Sequence, residues 1–386
     1  MTRTLSDICI VSARRTPFGR FLGSLAKLSA VELAVAAGGA ALENIGAAAI
    51  DLTVVGSVLA AGQGMNAARQ IALKLGVALD RPAFTVNMVC GSGMQAVILA
   101  AQAVQLGEAR AVLCGGTESM SNAPYLLDRA RSGLKFGHGE LIDAILRDGL
   151  ADPFSGELMG VMVERLAAEH GVTRQAQDEF ALRSQQRYGA AAARGAFHAE
   201  LVPLDQLDHD EHPRPDTTAQ KLASLAPAFK PDGTVTAGNA SGINDGAAMM
   251  VVCDAQTAQE RGWPVLARIE ASACVGCDPE RWGLGPIDAL RQLCQRADRA
   301  LEDFETVEIN EAFAAQALVN IRELALDEER VNPNGSAIAL GHPIGASGAR
   351  LVAHLAHRIA KGEITRAAGA LCVGGGMGVA MALTAE

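Results

Sequence analysis

Apolar and polar positions along this chain alternate between two textures. Residues 8–11, Ile-Cys-Ile-Val, form a short unbroken apolar run that predicts a buried strand. Residues 14–25 read as a loop. Residues 30–45 are Ala-rich and predict a helix; 52–60 predict an apolar strand, 67–75 a second helix and 84–88 a short strand. The turn Gly91-Ser92-Gly93 then leads into an apolar helix over 94–106, with a buried strand over 111–114 behind it. This alternation predicts α/β units around a mostly buried sheet.

From about residue 121 the texture changes. Charges and Pro increase, and helices over 158–169 and 174–194 are separated by long loops. The segment 121–244 reads as an insertion, after which strand and helix alternate again. The expected organisation is an N-terminal half over 1–120 completed by 245–265, the inserted loop domain, and a C-terminal half over 266–386.

Two stretches resemble copies of each other. Cys90-Gly91-Ser92-Gly93 opens an apolar helix that ends at Gly107-Glu108, and Gly345-Ala346-Ser347-Gly348 opens one that ends at Gly362-Glu363. Subtracting 93 from 348, or 107 from 362, gives the same offset of 255. Each helix is followed by an apolar strand closing on a Gly pair, Gly115-Gly116 and Gly374-Gly375. The stretches 50–60 and 304–314 also match in kind. An internal duplication explains this economically. It predicts a pseudo-twofold interface with a site built from turns of both halves.

Composition narrows the function classes. The chain has 386 residues, a net charge of −10 and 4% aromatics. An acidic chain poor in aromatics argues against nucleic acid or an anionic membrane as partner. No apolar run approaches the roughly 20 residues of a membrane span. The N-terminus shows no signal-peptide pattern, so the expected location is the cytoplasm, where the eight cysteines would be thiols.

Cys90 stands between a strand and a helix start. Unpaired N–H groups there favour a thiolate. That placement suits a nucleophile; a small buried cysteine is the alternative. His342, in Gly341-His342-Pro343, is the one histidine of eight with a Gly-rich setting on both sides. It can take a thiol proton, donate to an oxyanion, or simply bond to backbone. Cys372 precedes Gly374-Gly375-Gly376, where backbone N–H groups are exposed, and a second thiol there could act as acid or base. Asn310 and the Gly- and Asn-rich stretch around Ser241 are weaker candidates. Cys274 and Cys277 form a single CxxC with no second pair, so no metal site is read.

Taken together, these residues resemble the thiolase family, close to the acetyl-CoA acetyltransferases. The likeness runs along nearly the whole chain: Ala13-Arg14-Arg15-Thr16-Pro17-Phe18-Gly19, the Cys90 segment, Gly115-Gly116-Thr117-Glu118-Ser119-Met120, the stretch 233–242, Asn310-Glu311-Ala312-Phe313-Ala314, the stretch 341–348 and the Cys372 segment. The resemblance implies an α/β fold with a duplicated five-layer α-β-α-β-α architecture, each half a five-stranded sheet, plus the inserted loop domain. It implies reversible Claisen condensation of two acetyl-CoA molecules, or the reverse thiolysis, through an acyl-Cys90 intermediate.

In the implied roles, His342 activates Cys90, Cys372 is the acid/base and Asn310 holds a water in the oxyanion hole. The N–H groups of Cys90 and Gly374 form a second hole. Ser241 and the insertion hold the pantetheine arm, and Arg214 lies toward the nucleotide end. Leu158, Met159, Ala237, Phe229, Trp282, Ala312 and Phe313 complete the substrate site. No cofactor or metal is implied beyond coenzyme A carried by the substrates. The family implies a homo-oligomer, dimer or tetramer, with residues 126–140 matching the loop that tetramers use. Two departures matter: Ser336 follows Gly335 where Gly-Gly is common, a matter of local backbone geometry, and the other lies in the insertion. Leu158 stands where short-chain members often have His, and it cannot donate to an acyl oxygen. A 3-ketoacyl-CoA thiolase for longer or branched chains is therefore the alternative. Ketoacyl synthases of related fold pair one Cys with His-His or His-Glu, and non-catalytic CoA- or lipid-binding relatives lose the nucleophile or the loop His; neither pattern fits here.

Overall fold

A computed structural model describes residues 7–385. The strands are β1 (Ile8–Arg15), β2 (Gly19–Arg20), β3 (Leu52–Gly56), β4 (Ala83–Val86), β5 (Ala111–Ser119), β6 (Tyr125–Leu127), β7 (Leu141–Asp143), β8 (Asn244–Asp254), β9 (Ala267–Gly276), β10 (Thr306–Ile309), β11 (Arg366–Val373) and β12 (Met377–Thr384). The helices are α1 (Ala30–Leu42), α2 (Ala67–Lys74), α3 (Ser92–Gln105), α4 (Met159–Glu169), α5 (Arg174–Ala193), α6 (Ala219–Ala223), α7 (Ala255–Arg261), α8 (Gly285–Ala297), α9 (Ala314–Glu323), α10 (Ala337–Leu340) and α11 (Ile344–Ala360).

The main sheet runs β10-β11-β12-β9-β1-β8-β5-β3-β4, with β2 paired to β8. It is two copies of one pattern joined at their first strands. In one half β1, β8, β5 and β3 lie side by side; in the other β9, β12, β11 and β10 do. The copies meet where β1 and β9 pair over only Cys9↔Arg268 and Ile10↔Ala267. The first half has a fifth strand, β4, parallel to β3. Its counterpart is reduced to one bridge, Val307↔Val331. The fifth strand implied for the second half is thus missing, for a local reason. Asn332 turns left-handed (φ 47°), and Pro333 has no N–H to give. The Asn332 amide replaces the ladder, accepting from Ile309 N and donating to Ile309 O, both at 2.8 Å.

Strand sequences that are apolar on both faces need a layer on each side. In β5, Val112 and Cys114 join a central core containing α3 and α11, while Ala111 and Leu113 join an outer core with α1 and α2. In β11, Ala367, Leu371 and Val373 face the central core, and Ala368, Ala370 and Cys372 face an outer core with α8 and α9. The result is five layers, α-β-α-β-α, with α3 and α11 in the middle. These two helices approach through glycine. A Cβ on Gly93 would lie 2.7 Å from Ala349 N and 2.8 Å from Gly345 O. Both helices therefore start close together, each from a turn carrying a candidate residue.

Arg15 corrects the expectation of a loop over 14–25. It is the last residue of β1, and β2 follows at Gly19–Arg20. Its guanidinium is fully buried, bonded to Glu200 at 2.6 Å and to Asp210 at 2.7 and 2.9 Å. In the segment 121–244, β6 pairs only with β7, while α4 and α5 pack on α9. No helix among the described residues is long and apolar enough to cross a membrane.

Candidate active site

Cys90 sits on a sharp turn between β4 and α3. Val89 before it has φ 45°, a left-handed backbone that a β-branched residue adopts only under constraint. Ser92 supplies that constraint. Its hydroxyl donates to Val89 O at 2.7 Å and accepts from Met88 N at 2.8 Å. Val89 N is further held by Asn87 Oδ1 at 3.0 Å. The turn leaves the Cys90 thiol half-buried and facing a cavity.

His342 is presented by the corresponding turn of the other half. Gly341 has φ 101°, and a Cβ there would meet the Asn244 side chain at 2.4 Å. Asn244, buried in β8, accepts from His342 N at 2.9 Å and donates to Gly19 O at 2.9 Å. The imidazole is 7% exposed, with Nε2 3.4 Å from Cys90 Sγ. Its other nitrogen, Nδ1, lies 2.5 Å from Ser347 Oγ, and that hydroxyl also contacts Pro343 O at 2.9 Å. A serine has one proton to give. Given to the carbonyl, it leaves Ser347 Oγ as acceptor for Nδ1–H, so Nε2 carries a lone pair toward the thiol. Ser92 and Ser347 are counterparts at the 255-residue offset, 347 less 92. Each pins the turn that precedes its own helix.

Burial sets the protonation states. It pushes the Cys90 thiol up to about 11, against the N–H groups of Gly374 and of Cys90 itself, which favour thiolate. Burial, reinforced by the Arg350 guanidinium, pushes His342 down to about 4. The resting pair is therefore neutral thiol and neutral imidazole, ready for proton transfer when an electrophile arrives. Cys372 is fully buried on β11 opposite Gly378, its pKa raised well above the ordinary value by burial and then by the nearby Cys90. Asn310 is also fully buried; its amide nitrogen is 3.5 Å from His342 Nε2, the outer limit of a hydrogen bond.

The thiol opens on a cavity of about 340 Å³. Of the residues expected from sequence, Cys90, His342, Gly374, Ser241, Leu158, Met159, Ala237, Phe229, Trp282, Ala312 and Phe313 line it. In this wall the Phe313 ring meets Phe229 and Trp282 edge-on, each at 6.1 Å between ring centroids. Cys372 and Asn310, both fully buried, are not among its lining residues. Arg214 lines a separate cavity of about 320 Å³ with His212, Lys221 and Asp216, the last two paired to each other, and Ala237 lines both cavities.

Several contributors escape sequence reasoning. Ser347, Asn244 and Val89 position the pair, and Leu146, Gly149, Leu150 and Ile344 add cavity wall. Glu118 accepts from the N–H groups of Val58, Leu59 and Gly345 at 3.0–3.1 Å, tying β5 to the start of α11. Burial raises its carboxyl to about 7, with those N–H groups opposing the rise. Only Ser347 left a usable signal, through its duplicate Ser92.

Comparison with known proteins accords with this geometry. The family model described as Thiolase, N-terminal domain, matches residues 8–256, and Thiolase, C-terminal domain, matches residues 263–385. An acetyl-CoA acetyltransferase of Pseudomonas aeruginosa is 46% identical over 393 residues, covering 99% of this chain and 100% of that protein. One from Escherichia coli is 48% identical over 390 residues, covering 98% and 99%. A crystal structure of human mitochondrial 3-ketoacyl-CoA thiolase in complex with CoA superimposes with a TM-score of 0.96 at 40% identity, over 99% of this chain and 98% of that one. With two matched domains and full-length relatives at this identity, the chain belongs to the thiolase family.

Proposed function

We propose that this chain is an acetyl-CoA C-acetyltransferase, an acyltransferase that forms acetoacetyl-CoA and CoA from two acetyl-CoA molecules and runs the reverse thiolysis. The observation that carries the reading is a thiol 3.4 Å from the bare nitrogen of a buried, neutral imidazole, at the wall of a mainly apolar cavity.

The chemistry is covalent and two-step. Cys90 Sγ attacks the thioester carbonyl while His342 Nε2 takes its proton. The N–H groups of Cys90 and Gly374 receive the oxyanion; one such donor is typically worth about 3 kcal/mol. CoA leaves with the proton, and acyl-Cys90 remains. In condensation, Cys372 first passes its thiol proton to His342, which the departure of CoA has left unprotonated, and the resulting thiolate removes an α-proton from a second acetyl-CoA whose thioester oxygen lies toward His342 and Asn310. The carbanion attacks acyl-Cys90, forming the C–C bond and releasing the Cys90 thiolate. The thioester itself acidifies the α-carbon, so we assign no cofactor beyond the coenzyme A of the substrates. The pantetheine arm passes Ser241 and Ala237, and the anionic nucleotide end reaches Arg214 and Lys221. We further propose a cytoplasmic homo-oligomer, with residues 126–140 in its assembly.

Incubation with acetyl-CoA followed by peptide mass mapping tests the reading. One acetyl group is expected on the peptide carrying Cys90 and none in Cys90→Ala. Acetylation at another residue overturns the nucleophile. Cys372→Ser is expected to keep acylation and lose condensation by at least about a hundredfold, the lower end of what acid–base catalysis supplies.

A further inference from the structure

A buried ion pair lies beside the site and takes no part in the chemistry above. Arg350 on α11 is 2% exposed and Glu308 on β10 is fully buried, yet Arg350 Nη1 and Glu308 Oε2 stand 3.7 Å apart. An arginine and a carboxylate usually meet through hydrogen bonds of about 2.7–2.9 Å. Here Glu308 accepts no hydrogen bond from any described residue, and Arg350 Nε donates to none. The guanidinium is drawn elsewhere: its Nη2 donates to Ser336 Oγ at 2.9 Å.

Ser336 is the residue that departs from Gly-Gly, and it is held from the other side. Its N–H donates to Ser184 Oγ on α5 at 3.4 Å, and Gly335 packs so closely on α5 that a Cβ there would lie 2.6 Å from Ser184 O. The hydroxyl therefore cannot follow the guanidinium toward Glu308. Three carboxylates act on Arg350: Glu308, Glu200 and Glu311. Glu311 already accepts from Ser184, Asn332 and Ile338 N, and Glu200 is engaged by Arg15 and His354. Glu308 is left as the one of the three that could close on Arg350.

Both ends of the cluster reach the reacting groups. Ser336 precedes α10, which hands the chain on to Gly341 and His342. Val307 and Ile309 face the outer core, so Glu308 and Asn310 share the opposite face of β10, toward α11. Burial first, and then the Arg350 charge, opposes protonation of the His342 imidazole. The other ionisable groups around that imidazole are Cys90, Cys372 beside it, Glu118 on β5, and His212 behind Asn244. We propose that Ser336 is a positioning residue for the acyl transfer: its hydroxyl holds the Arg350 guanidinium off Glu308, so that a buried positive charge, only partly cancelled, keeps the His342 imidazole free to take the Cys90 proton. Without the hydroxyl, the guanidinium closes on Glu308 and its charge is better cancelled. The imidazole then holds a proton at higher pH, where it can no longer serve as base. The inference rests on the thiolase reading above and adds a residue to that site.

The test is the acid side of the pH profile for thiolysis of acetoacetyl-CoA, whose kcat/KM reports the free enzyme. Wild type, Ser336→Ala and Ser336→Ala/Glu308→Gln, each held at pH 7, are mixed into assay buffers from about pH 3.5 to 8, and initial rates are normalised to each protein's own value at about pH 8. In Ser336→Ala the pH of half-maximal kcat/KM is expected at least about half a pH unit above wild type. In the double variant no carboxylate remains for the guanidinium to close on, and the half-point is expected back at the wild-type value or below it. That variant buries an unpaired charge and is expected to melt lower than the single one, so a returning half-point cannot be recovered stability. A half-point unmoved or lowered in Ser336→Ala overturns the inference, as does a double variant that stays with the single one. If the double variant does not fold, the Ser336→Ala profile decides alone. Turnover by wild type with unmoved profiles sinks this inference and leaves the thiolase reading standing; no turnover by wild type removes both.

Discussion

Between the Cys90 thiol at about 11 and the His342 imidazole at about 4, the proton rests on sulfur at neutral pH. Alkylation by iodoacetamide needs the thiolate, so its rate at Cys90 is expected to climb about tenfold per pH unit from pH 7 to 10. A plateau starting below pH 7 would instead mean a preformed thiolate–imidazolium pair. Ser347 fixes which nitrogen faces the thiol, and its removal tests that role. In Ser347→Ala the Nδ1–H loses its acceptor in a buried site, a loss of about 1–3 kcal/mol. Taken out of the reactive geometry, that is a roughly 5- to 150-fold fall in kcat/KM. The alkylation rate should fall with it, and the thermal midpoint should drop by a few degrees; unchanged kinetics would make Ser347 a mere neighbour. Cys90, His342 and the cavity wall were legible because Gly-rich turns and the resemblance marked them. The roles of Asn244 and Glu118 were not: both fall in stretches that the sequence marks, but nothing in a sequence pattern says that their side chains hold the backbone of turns far along the chain.

At the scale of elements, the site is the meeting of two turns, and α3 and α11 set their separation. Gly93→Ala places a methyl 2.7 Å from Ala349 N and 2.8 Å from Gly345 O, both backbone atoms that cannot rotate away. The helices must then part, moving Cys90 from His342. Overpacking of this kind costs about 3 kcal/mol. Lower thermal stability and lower kcat are expected together; full activity at an unchanged melting temperature would show that the helices have slack. Helix and strand positions were readable to within a few residues because each inner strand is one apolar run bounded by Gly or polar turns. The predicted strand over 52–60 ended too late, since β3 stops at Gly56. Residues 57–59 remain buried, but Val58 N and Leu59 N turn to the Glu118 carboxylate instead of a neighbouring strand. The missing fifth strand of the second half has the same kind of cause, a side chain substituting for a ladder.

Across the whole molecule, one buried knot joins parts of the chain nearly 340 residues apart, from Arg15 to His354. Arg15 ends β1, Glu200 and Asp210 come from the inserted segment, and His354 on α11 contacts Glu200 at 2.8 Å. No periodicity announces such a knot; a pair of arginines near the N-terminus reads as surface until their partners are known. Burial alone would push the Glu200 carboxyl up, yet His354 and Arg15 outweigh it and hold the group well below the usual carboxylate range. A carboxyl depressed in the folded state stabilises the fold above its unfolded value of 4.5 and loses that contribution as pH falls below it. Arg15→Met leaves two buried carboxylates short of their cation, which costs about 3–5 kcal/mol near neutral pH. Urea midpoints of wild type and variant should therefore differ most at pH 7 and draw together as the pH falls below 4.5, where Glu200 takes up its proton in the variant first. A gap that stays constant over that range would assign the loss to side-chain packing, with the inserted segment held to the two halves by shape rather than by charge.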